Sequence, residues 1–194
     1  MTESRILLVR HPETVANVAG RFVGRGDSPY SPEGQRQFSR VVRKIIRFEP
    51  RVLWSSSLVR AARVAERASM SGRMDLRIDD RLVELDFGAA EGLTYDDIAA
   101  ASIAFNYRDR DHPVATGGES RGSLEARTGE ILDEMIGMGG RHAVVTHGGV
   151  FRAGIVHLLG LSSEDIWAFH IHNAQLATVR IMDGHGMLEE YVQG

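Results

Sequence analysis

Apolar and polar residues follow one another along the chain in blocks that predict strands and helices in alternation. Short apolar runs predict strands at residues 5–10, 51–54, 76–78, 142–146, 177–182 and 188–192. Apolar residues that recur every three to four positions predict helices at residues 58–69, 94–105, 125–136 and 150–159, and one more after Ser31. Strands separated by helices favour right-handed crossovers, so the pattern predicts a three-layer α/β/α sandwich around a mostly parallel sheet.

Two of the predicted helices begin with specific capping signals. Ser31 is a good N-cap residue, and Pro32 stands at the first helical position, where its missing N–H costs nothing. Thr94 and Asp97 have the spacing of a capping box. These signals place the starts of the two helices at residues 32 and 95.

Length, charge and amino-acid composition exclude several classes of protein. The chain has 194 residues and a formal net charge of −3, which predicts one domain over residues 1–194 and no bulk attraction to nucleic acid or membranes. The absence of cysteine excludes a disulfide scaffold, a thiolate metal site and a cysteine nucleophile. No stretch has the pattern of a secretory signal or a membrane span, so we expect a cytoplasmic protein.

Two histidines follow two of the predicted strands directly. His11 comes after the first strand, and His147 comes after the strand at residues 142–146. Open α/β sheets bind ligands at the carboxyl ends of their strands, so these two side chains are expected to meet there. Arg10 and Arg60 add guanidinium groups whose planar forks suit phosphate oxygens. Taken singly, each histidine is typical of a structural residue, and Arg60 of a surface ion pair.

Glu84 lies between apolar residues and is the candidate carboxyl group of the site, with a solvated loop carboxylate as the alternative. Two imidazoles, two guanidiniums and a carboxyl group suit phosphoryl transfer, in which positioning and charge stabilisation supply most of the catalysis. A neutral imidazole is a competent nucleophile, and a carboxyl group can protonate the leaving alkoxide. His170 and His172 form a single pair without further ligands, so no metal and no cofactor are expected.

Five motifs in a fixed order then resemble the histidine phosphatase superfamily, the phosphoglycerate mutase-like group. They are RHPETVAN at residues 10–17, a glycine-rich segment at 24–34, SSLVRAARVAE at 56–66, LVELDFGAAEG at 82–92, and GES at 118–120 with VTHGG at 145–149. The resemblance covers roughly residues 5–160 and favours the compact branch similar to α-ribazole phosphatases and broad-specificity phosphatases. It implies a phosphoglycerate mutase-like fold.

The resemblance also implies a role for each matched residue. His11 corresponds to the phosphorylated nucleophile, and Glu84 to the proton donor that later activates water. The residues implied to hold the phosphoryl group or the substrate are Arg10, Arg60, His147, Asn17, Gly24 and Gly148. Pro12 departs from the family's usual glycine, fixes φ and removes an N–H, so it is expected to reshape the pocket wall.

The resemblance predicts a metal-independent phosphomonoesterase that hydrolyses a small-molecule ester through a phosphohistidine on His11. One alternative is a phosphoglycerate-type mutase, which usually carries a longer insertion than the short lid-like segment expected at about residues 94–117. The other is a catalytically silent phosphate-binding module, because fold does not determine function. The expected partner is a small phosphate monoester, with no nucleic acid and no membrane, and a homodimer stays open.

Overall fold

The computed structural model describes residues 3–194, in which six strands form one sheet. The strands are β1 (Ser4–Arg10), β2 (Val52–Ser55), β3 (Asp75–Ile78), β4 (Gly140–Thr146), β5 (Gln175–Met182) and β6 (His185–Gln193). Their order across the sheet is β3-β2-β4-β1-β5-β6. The first four are parallel, while β5 runs antiparallel to β1 and β6 antiparallel to β5. The predicted mixed α/β fold with a mostly parallel sheet is confirmed.

Helices cover both faces of this sheet. They are α1 (Val15–Val18), α2 (Pro32–Phe48), α3 (Val59–Gly72), α4 (Tyr95–Ala100), α5 (Arg121–Met138) and α6 (Gly148–Leu158). Successive residues of β1 alternate between the faces: Ile6 and Leu8 pack in the core with α5 and α6, and Leu7 and Val9 in the core with α2 and α3. A strand buried on both faces therefore reads as a continuous apolar run.

The two helix starts predicted from capping signals, at residues 32 and 95, are confirmed, whereas the helices predicted at 125–136 and 150–159 begin earlier, at Arg121 and Gly148. The Ser31 hydroxyl accepts a hydrogen bond from the Gly34 N–H, with Pro32 in the first turn of α2. Thr94 and Asp97 form the capping box at the start of α4. Both starts depend only on residues within one turn, which explains why the local sequence predicts them.

The predicted helix at residues 94–105 is too long, because α4 ends at Ala100. Ser102 adopts a left-handed conformation with φ of 54°, which turns the chain out of the helix. Ile103 and Phe105 then pack against the core on the α5–α6 side of the sheet. Burial of these two side chains outweighs continuation of a short helix. Within residues 3–194, no helix combines the length and apolar character needed to cross a bilayer.

Candidate active site

The parallel pairing of β1 with β4 brings the two strand-end histidines together. Arg10 is in register with Thr146, and the His11 N–H continues the ladder to the Thr146 carbonyl at 2.9 Å. The imidazole rings of His11 and His147 follow, with centroids 5.2 Å apart and planes inclined by 59°. Both side chains are buried. Two histidines 136 positions apart in the sequence thus share one cleft at the carboxyl edge of the sheet.

A backbone carbonyl sets the tautomer of His11. His11 Nδ1 lies 2.7 Å from the Pro12 carbonyl oxygen, which can only accept, so Nδ1 carries the proton and donates. Nε2 is left with its lone pair and is the nucleophilic nitrogen of the ring. Pro12 keeps the carbonyl acceptor, so its replacement of the family's glycine leaves this contact intact.

His147 is held by a serine that the sequence analysis did not single out. His147 Nε2 lies 2.7 Å from the Ser56 hydroxyl, while His147 Nδ1 is buried without a hydrogen-bond partner among the described residues. With the Ser56 hydroxyl donating to Nε2, the ring proton lies on Nδ1, which then is a donor without an acceptor among the described residues. A buried donor without an acceptor lowers the stability of the folded state unless a bound ligand accepts its hydrogen bond.

Burial and positive charge keep both imidazoles neutral. Desolvation lowers the pKa of His11 well below its ordinary value of 6.5, and the Arg10 and Arg60 charges lower that pKa further. The pKa of His147 is lowered well below 6.5 in the same way, by burial first and then by Arg60. Neutral imidazole is the form that can attack phosphorus.

Arg10 lies between the cleft and the C-terminal part of the chain. Its Nη1 donates to the Ile171 carbonyl at 2.8 Å, and its buried Nε has no partner among residues 3–194. Burial lowers the pKa of Arg10 below its ordinary value, while the neighbouring Glu84 charge raises that pKa. The guanidinium stays charged, since arginine does not deprotonate in proteins.

Arg60 is buried at 3% exposure, so the surface ion-pair alternative does not hold. Its guanidinium donates to the carbonyls of the loop at residues 23–26, with Nη2 at 2.8 Å from the Gly24 oxygen. Asp27, the nearest carboxylate, is 3.8 Å from Nη1 and half exposed. The loop, rather than a counter-ion, orients the guanidinium.

The same loop is held from its other side by Glu91. The Glu91 carboxylate accepts the backbone N–H groups of Gly24, Arg25 and Gly26 at 2.9–3.1 Å. Gly24 has no room for a side chain, because a Cβ would overlap the Leu85 carbonyl oxygen. The resemblance implies that Gly24 holds the phosphoryl group or the substrate; in this structure its N–H is engaged by Glu91.

Glu84 is buried at 8% exposure, which argues against a solvated loop carboxylate. Its Oε2 accepts the Gly149 N–H at 3.0 Å, and its Oε1 accepts the Leu85 N–H at 2.9 Å. Arg127 positions the surrounding segment by donating to the carbonyls of residues 81, 83 and 84, and Glu119 pairs with Arg127 at 2.7 Å. The carboxyl group thus has a fixed place at the N-terminus of α6.

Asn17 lies at the edge of the cleft with its amide already oriented. Its Oδ1 accepts from the Thr14 N–H, the Thr14 hydroxyl and Asn173 Nδ2. Asn17 Nδ2 makes no hydrogen bond to any described residue, so this donor remains for a ligand. Gly148 starts α6 beside the site, where a Cβ would lie 3.5 Å from the Arg10 guanidinium carbon. Helix N-termini favour anions.

Four further residues complete the site, and the sequence analysis gave none of them a role. Three lie inside or just after motifs it quoted, so their motif membership was the signal: Ser56, Glu91 and Arg127. The fourth, Tyr107, belongs to no motif. Its ring stacks on Phe87 with centroids 6.0 Å apart and meets Trp167 edge-on at 5.5 Å. Burial raises the pKa of Tyr107 to about 12. No group of three His, Asp or Glu side chains that could hold a metal ion occurs among residues 3–194.

The chain is similar in sequence, over almost its whole length, to phosphatases of known name. The chain is 29% identical to an adenosylcobalamin/alpha-ribazole phosphatase of Salmonella typhimurium, covering 95% of this chain and 94% of the relative. It is 26% identical to phosphoserine phosphatase 1 of Hydrogenobacter thermophilus, covering 95% and 90%.

A solved mycobacterial glucosyl-3-phosphoglycerate phosphatase in complex with VO3 superimposes with a TM-score of 0.86 at 25% identity, covering 98% and 99% of the two chains. The sequence model of the histidine phosphatase superfamily (branch 1) matches residues 6–193. The chain therefore belongs to the histidine phosphatase superfamily.

Proposed function

We propose that this protein hydrolyses small-molecule phosphate monoesters through a phosphohistidine on His11. The observation that carries the proposal is the tautomer of His11: its Nδ1–H is bound by the Pro12 carbonyl, which leaves the Nε2 lone pair free in a cleft of positive charge. A neutral nitrogen nucleophile beside two guanidiniums suits attack on a phosphate dianion.

In the first half-reaction, His11 Nε2 attacks phosphorus as the bond to the ester oxygen breaks. Arg10, Arg60 and the Nδ1–H of His147 stabilise the charge on the three equatorial oxygens. Glu84 transfers its proton to the departing oxygen, so the alcohol leaves neutral and Glu84 becomes a carboxylate.

In the second half-reaction, the Glu84 carboxylate removes a proton from a water molecule that attacks the same phosphorus. The P–N bond breaks, the electron pair returns to His11 Nε2, and inorganic phosphate leaves. Glu84 ends protonated, so the cycle closes without a change in the protein. The chain's own arginines balance the phosphate charge, and no metal or cofactor is part of the proposal.

The short lid-like segment supports hydrolysis over a mutase reaction. Between residues 94 and 117 the only helix is the six-residue α4, so this segment is shorter than the insertion that a phosphoglycerate-type mutase usually carries. Phosphate binding by a silent module would satisfy the orphaned His147 Nδ1, but it gives no use to the lone pair of His11 Nε2, which cannot donate a hydrogen bond to a phosphate oxygen.

The test is turnover of p-nitrophenyl phosphate without added metal, beside His11→Ala. We expect turnover by the wild type, a loss of at least about 10³-fold in the variant, and no effect of EDTA. Brief incubation with ³²P-labelled substrate followed by a denaturing quench should yield acid-labile, base-stable label on the wild type alone. A variant with full activity, or activity lost in EDTA and restored by a divalent metal, contradicts the mechanism.

The silent module and the mutase each predict a result that differs from that of a phosphatase. A silent module binds phosphate tightly without turnover in either protein. A mutase interconverts phosphoglycerates and requires a bisphosphate primer. A titration with inorganic phosphate detects the silent module, and product analysis of incubations with phosphoglycerate, with and without the primer, detects the mutase.

The proposal extends to the setting of the enzyme. We place it in the cytoplasm, as one domain over residues 1–194 whose lid-like segment at 94–117 closes over a small monoester, and without a nucleic-acid or membrane partner. The edge strand β6, with Met187 and Leu188 partly exposed, offers a surface for a homodimer. Light scattering on the purified protein measures whether the homodimer forms.

A further inference from the structure

Three arginines lie side by side across the sheet, at the edge opposite the active site. Arg5 on β1 is in register with Arg141 on β4 and with Arg180 on β5. Arg5 stands two residues before Leu7, which packs in the core with α2 and α3, so the row lies on that face of the sheet. Like charges directly opposite on neighbouring strands are destabilising, so a row of three arginines lowers the stability of the sheet unless anions compensate it.

One carboxylate compensates two of these charges, and none compensates the third. Glu189 on β6 lies 2.6 Å from Arg5 Nε and 3.3 Å from Arg180 Nε. Arg141 is half-buried, with neither a hydrogen-bond acceptor for its buried Nε nor a carboxylate within ion-pair distance among residues 3–194. Its guanidinium carbon lies 4.6 Å from the centroid of the Phe48 ring, which holds the group without neutralising it. A half-buried charge without a counter-ion favours the binding of an anion.

These side chains border a cavity of about 440 Å³, which we call the amino-edge cavity. Its lining includes four cationic side chains, Arg5, Lys44, Arg47 and Arg141, and two carboxylates, Glu189 and Glu190. Lys44 lies 3.5 Å from Glu190, while Arg47 has no carboxylate within ion-pair distance in the described part of the chain. With Arg180 counted, five cations stand against two carboxylates and leave a surplus of three positive charges. A concave site of this volume suits a small molecule.

We propose that the amino-edge cavity binds an oligophosphate, an anion of two or three linked phosphate groups that is either free or part of a nucleotide. Neighbouring strands are about 4.8 Å apart, so the row of three arginines extends over about 10 Å at its Cα atoms. One phosphate group can contact two adjacent guanidiniums, whereas a chain of phosphates can contact the whole row. Guanidinium forks suit phosphate oxygens, and the several negative charges of such a chain match the surplus of the cavity.

The amino-edge cavity is separate from the cleft that holds His11. Arg5 and His11 stand at opposite ends of β1, and a strand rises about 3.3 Å per residue, so the two sites are about 20 Å apart. An anion on the arginine row therefore neither contacts the proposed catalytic residues nor blocks the cleft. This inference is thus independent of the proposed phosphatase activity.

The test is calorimetric titration with tripolyphosphate, pyrophosphate and inorganic phosphate at an ionic strength of about 50 mM, where screening is limited. The titrated protein is Arg60→Gln, in which phosphate binding in the cleft is weakened, so that the remaining site is measured alone. We expect the affinity of this site to rise about threefold or more with each added phosphate group, because a longer chain contacts more of the row.

Arg141→Gln, introduced into the same protein, should weaken tripolyphosphate binding about tenfold or more, and Arg47→Gln about threefold. Arg67→Gln, an exposed change on α3, is the control for net charge and should leave the affinity unchanged. Each variant is compared after a cooperative unfolding transition has shown that it is folded. In the otherwise wild-type chain, Arg141→Gln should change kcat/KM for p-nitrophenyl phosphate by less than about twofold, because the cleft is distant.

ATP distinguishes the two sources of the phosphate chain. Tighter binding of ATP than of tripolyphosphate assigns the site to a nucleotide, and equal or weaker binding of ATP assigns it to a free oligophosphate. The proposal is overturned by no binding up to about 1 mM, by equal affinity for the three inorganic anions, or by an affinity that Arg141→Gln leaves unchanged. Oligophosphate binding by a protein without His11-dependent turnover would instead contradict the proposed function and leave this inference in place.

Discussion

Arg60 and Glu91 hold one loop from opposite sides. Arg60 donates to the carbonyls of Val23, Gly24 and Gly26, and Glu91 accepts the N–H groups of Gly24, Arg25 and Gly26. The loop has no regular secondary structure of its own, so its conformation depends on these two side chains. A change at Glu91 is therefore transmitted to the guanidinium that we propose holds the phosphoryl group.

Glu91→Gln should lower kcat/KM about tenfold, because an uncharged amide oxygen accepts the three loop N–H groups more weakly and the amide nitrogen faces the Gly24 N–H. The loop then orients Arg60 less firmly. The double variant with Arg60→Lys should lose less than the sum of the two single losses, since both act through the loop. Steady-state kinetics with p-nitrophenyl phosphate measure both effects. Glu66→Gln, an exposed change on α3, serves as the control. Strict additivity of the two losses contradicts the coupling.

Gly149→Ala should impair proton donation. A Cβ at this position would overlap Glu84 Oε1, so the carboxyl group must move away from its place at the start of α6. General acids contribute about 10²-fold or more, and most where the leaving group is basic. We expect a loss of about 10²-fold with an alkyl phosphate and below about tenfold with p-nitrophenyl phosphate.

The control for that substitution is Gly137→Ala in α5, where a new Cβ meets no atom within 4 Å. This variant should keep full activity and change the free energy of unfolding by less than about 1 kcal/mol. Equal losses by Gly149→Ala with both substrates would mean that Glu84 is not the group displaced.

The His11 ring should be neutral with its proton on Nδ1. At pH 6.5, where an ordinary histidine is half protonated, ¹⁵N spectra of the ring should show Nδ1 protonated and Nε2 bare, since the pKa of His11 lies well below that value. Removing the Arg10 charge by Arg10→Gln should raise this pKa, because that charge disfavours the imidazolium. A half-protonated His11 at pH 6.5 in the wild type contradicts the assignment.

The free energy of unfolding should fall as the pH drops below about 6.5. In that range the unfolded chain protonates His11 and His147, while the folded chain holds them neutral because their pKa values are lowered. The unfolded state then binds more protons, so each histidine contributes a slope of about 1.4 kcal/mol per pH unit. Above about pH 7.5 the contribution is constant.

Urea unfolding at a series of pH values measures the free energy of unfolding of the wild type and of His147→Asn. The difference between the two slopes against pH is the contribution of His147. The variant should lose about 1.4 kcal/mol per pH unit of slope below pH 6.5. His142 also has a pKa lowered by burial and supplies part of the remaining slope in both proteins. Identical slopes for the two proteins would show that His147 titrates alike in the folded and unfolded states.

Local sequence predicted the starts of α2 and α4 because capping involves residues within one turn. It predicted β1, β2, β4 and β5 because a strand buried on both faces is a continuous apolar run. Local sequence did not predict the end of α4. Just beyond that helix, Ile103 and Phe105 pack against a core formed by residues distant in the sequence. Local sequence also assigned no role to Ser56 and Arg141. The role of a serine or an arginine depends on the groups that surround it in the folded chain, and the local sequence does not show them.

The sequence by itself determined the order of strands and helices, the family, and the residues at the ends of β1 and β4. Periodicity, capping and motif order are properties of neighbours along the chain. Only the tertiary structure decided the tautomer of His11 and the loop shared by Arg60 and Glu91. The physical reason is that pKa, hydrogen bonding and ion pairing depend on distances through space, and folding sets those distances between residues far apart in the chain.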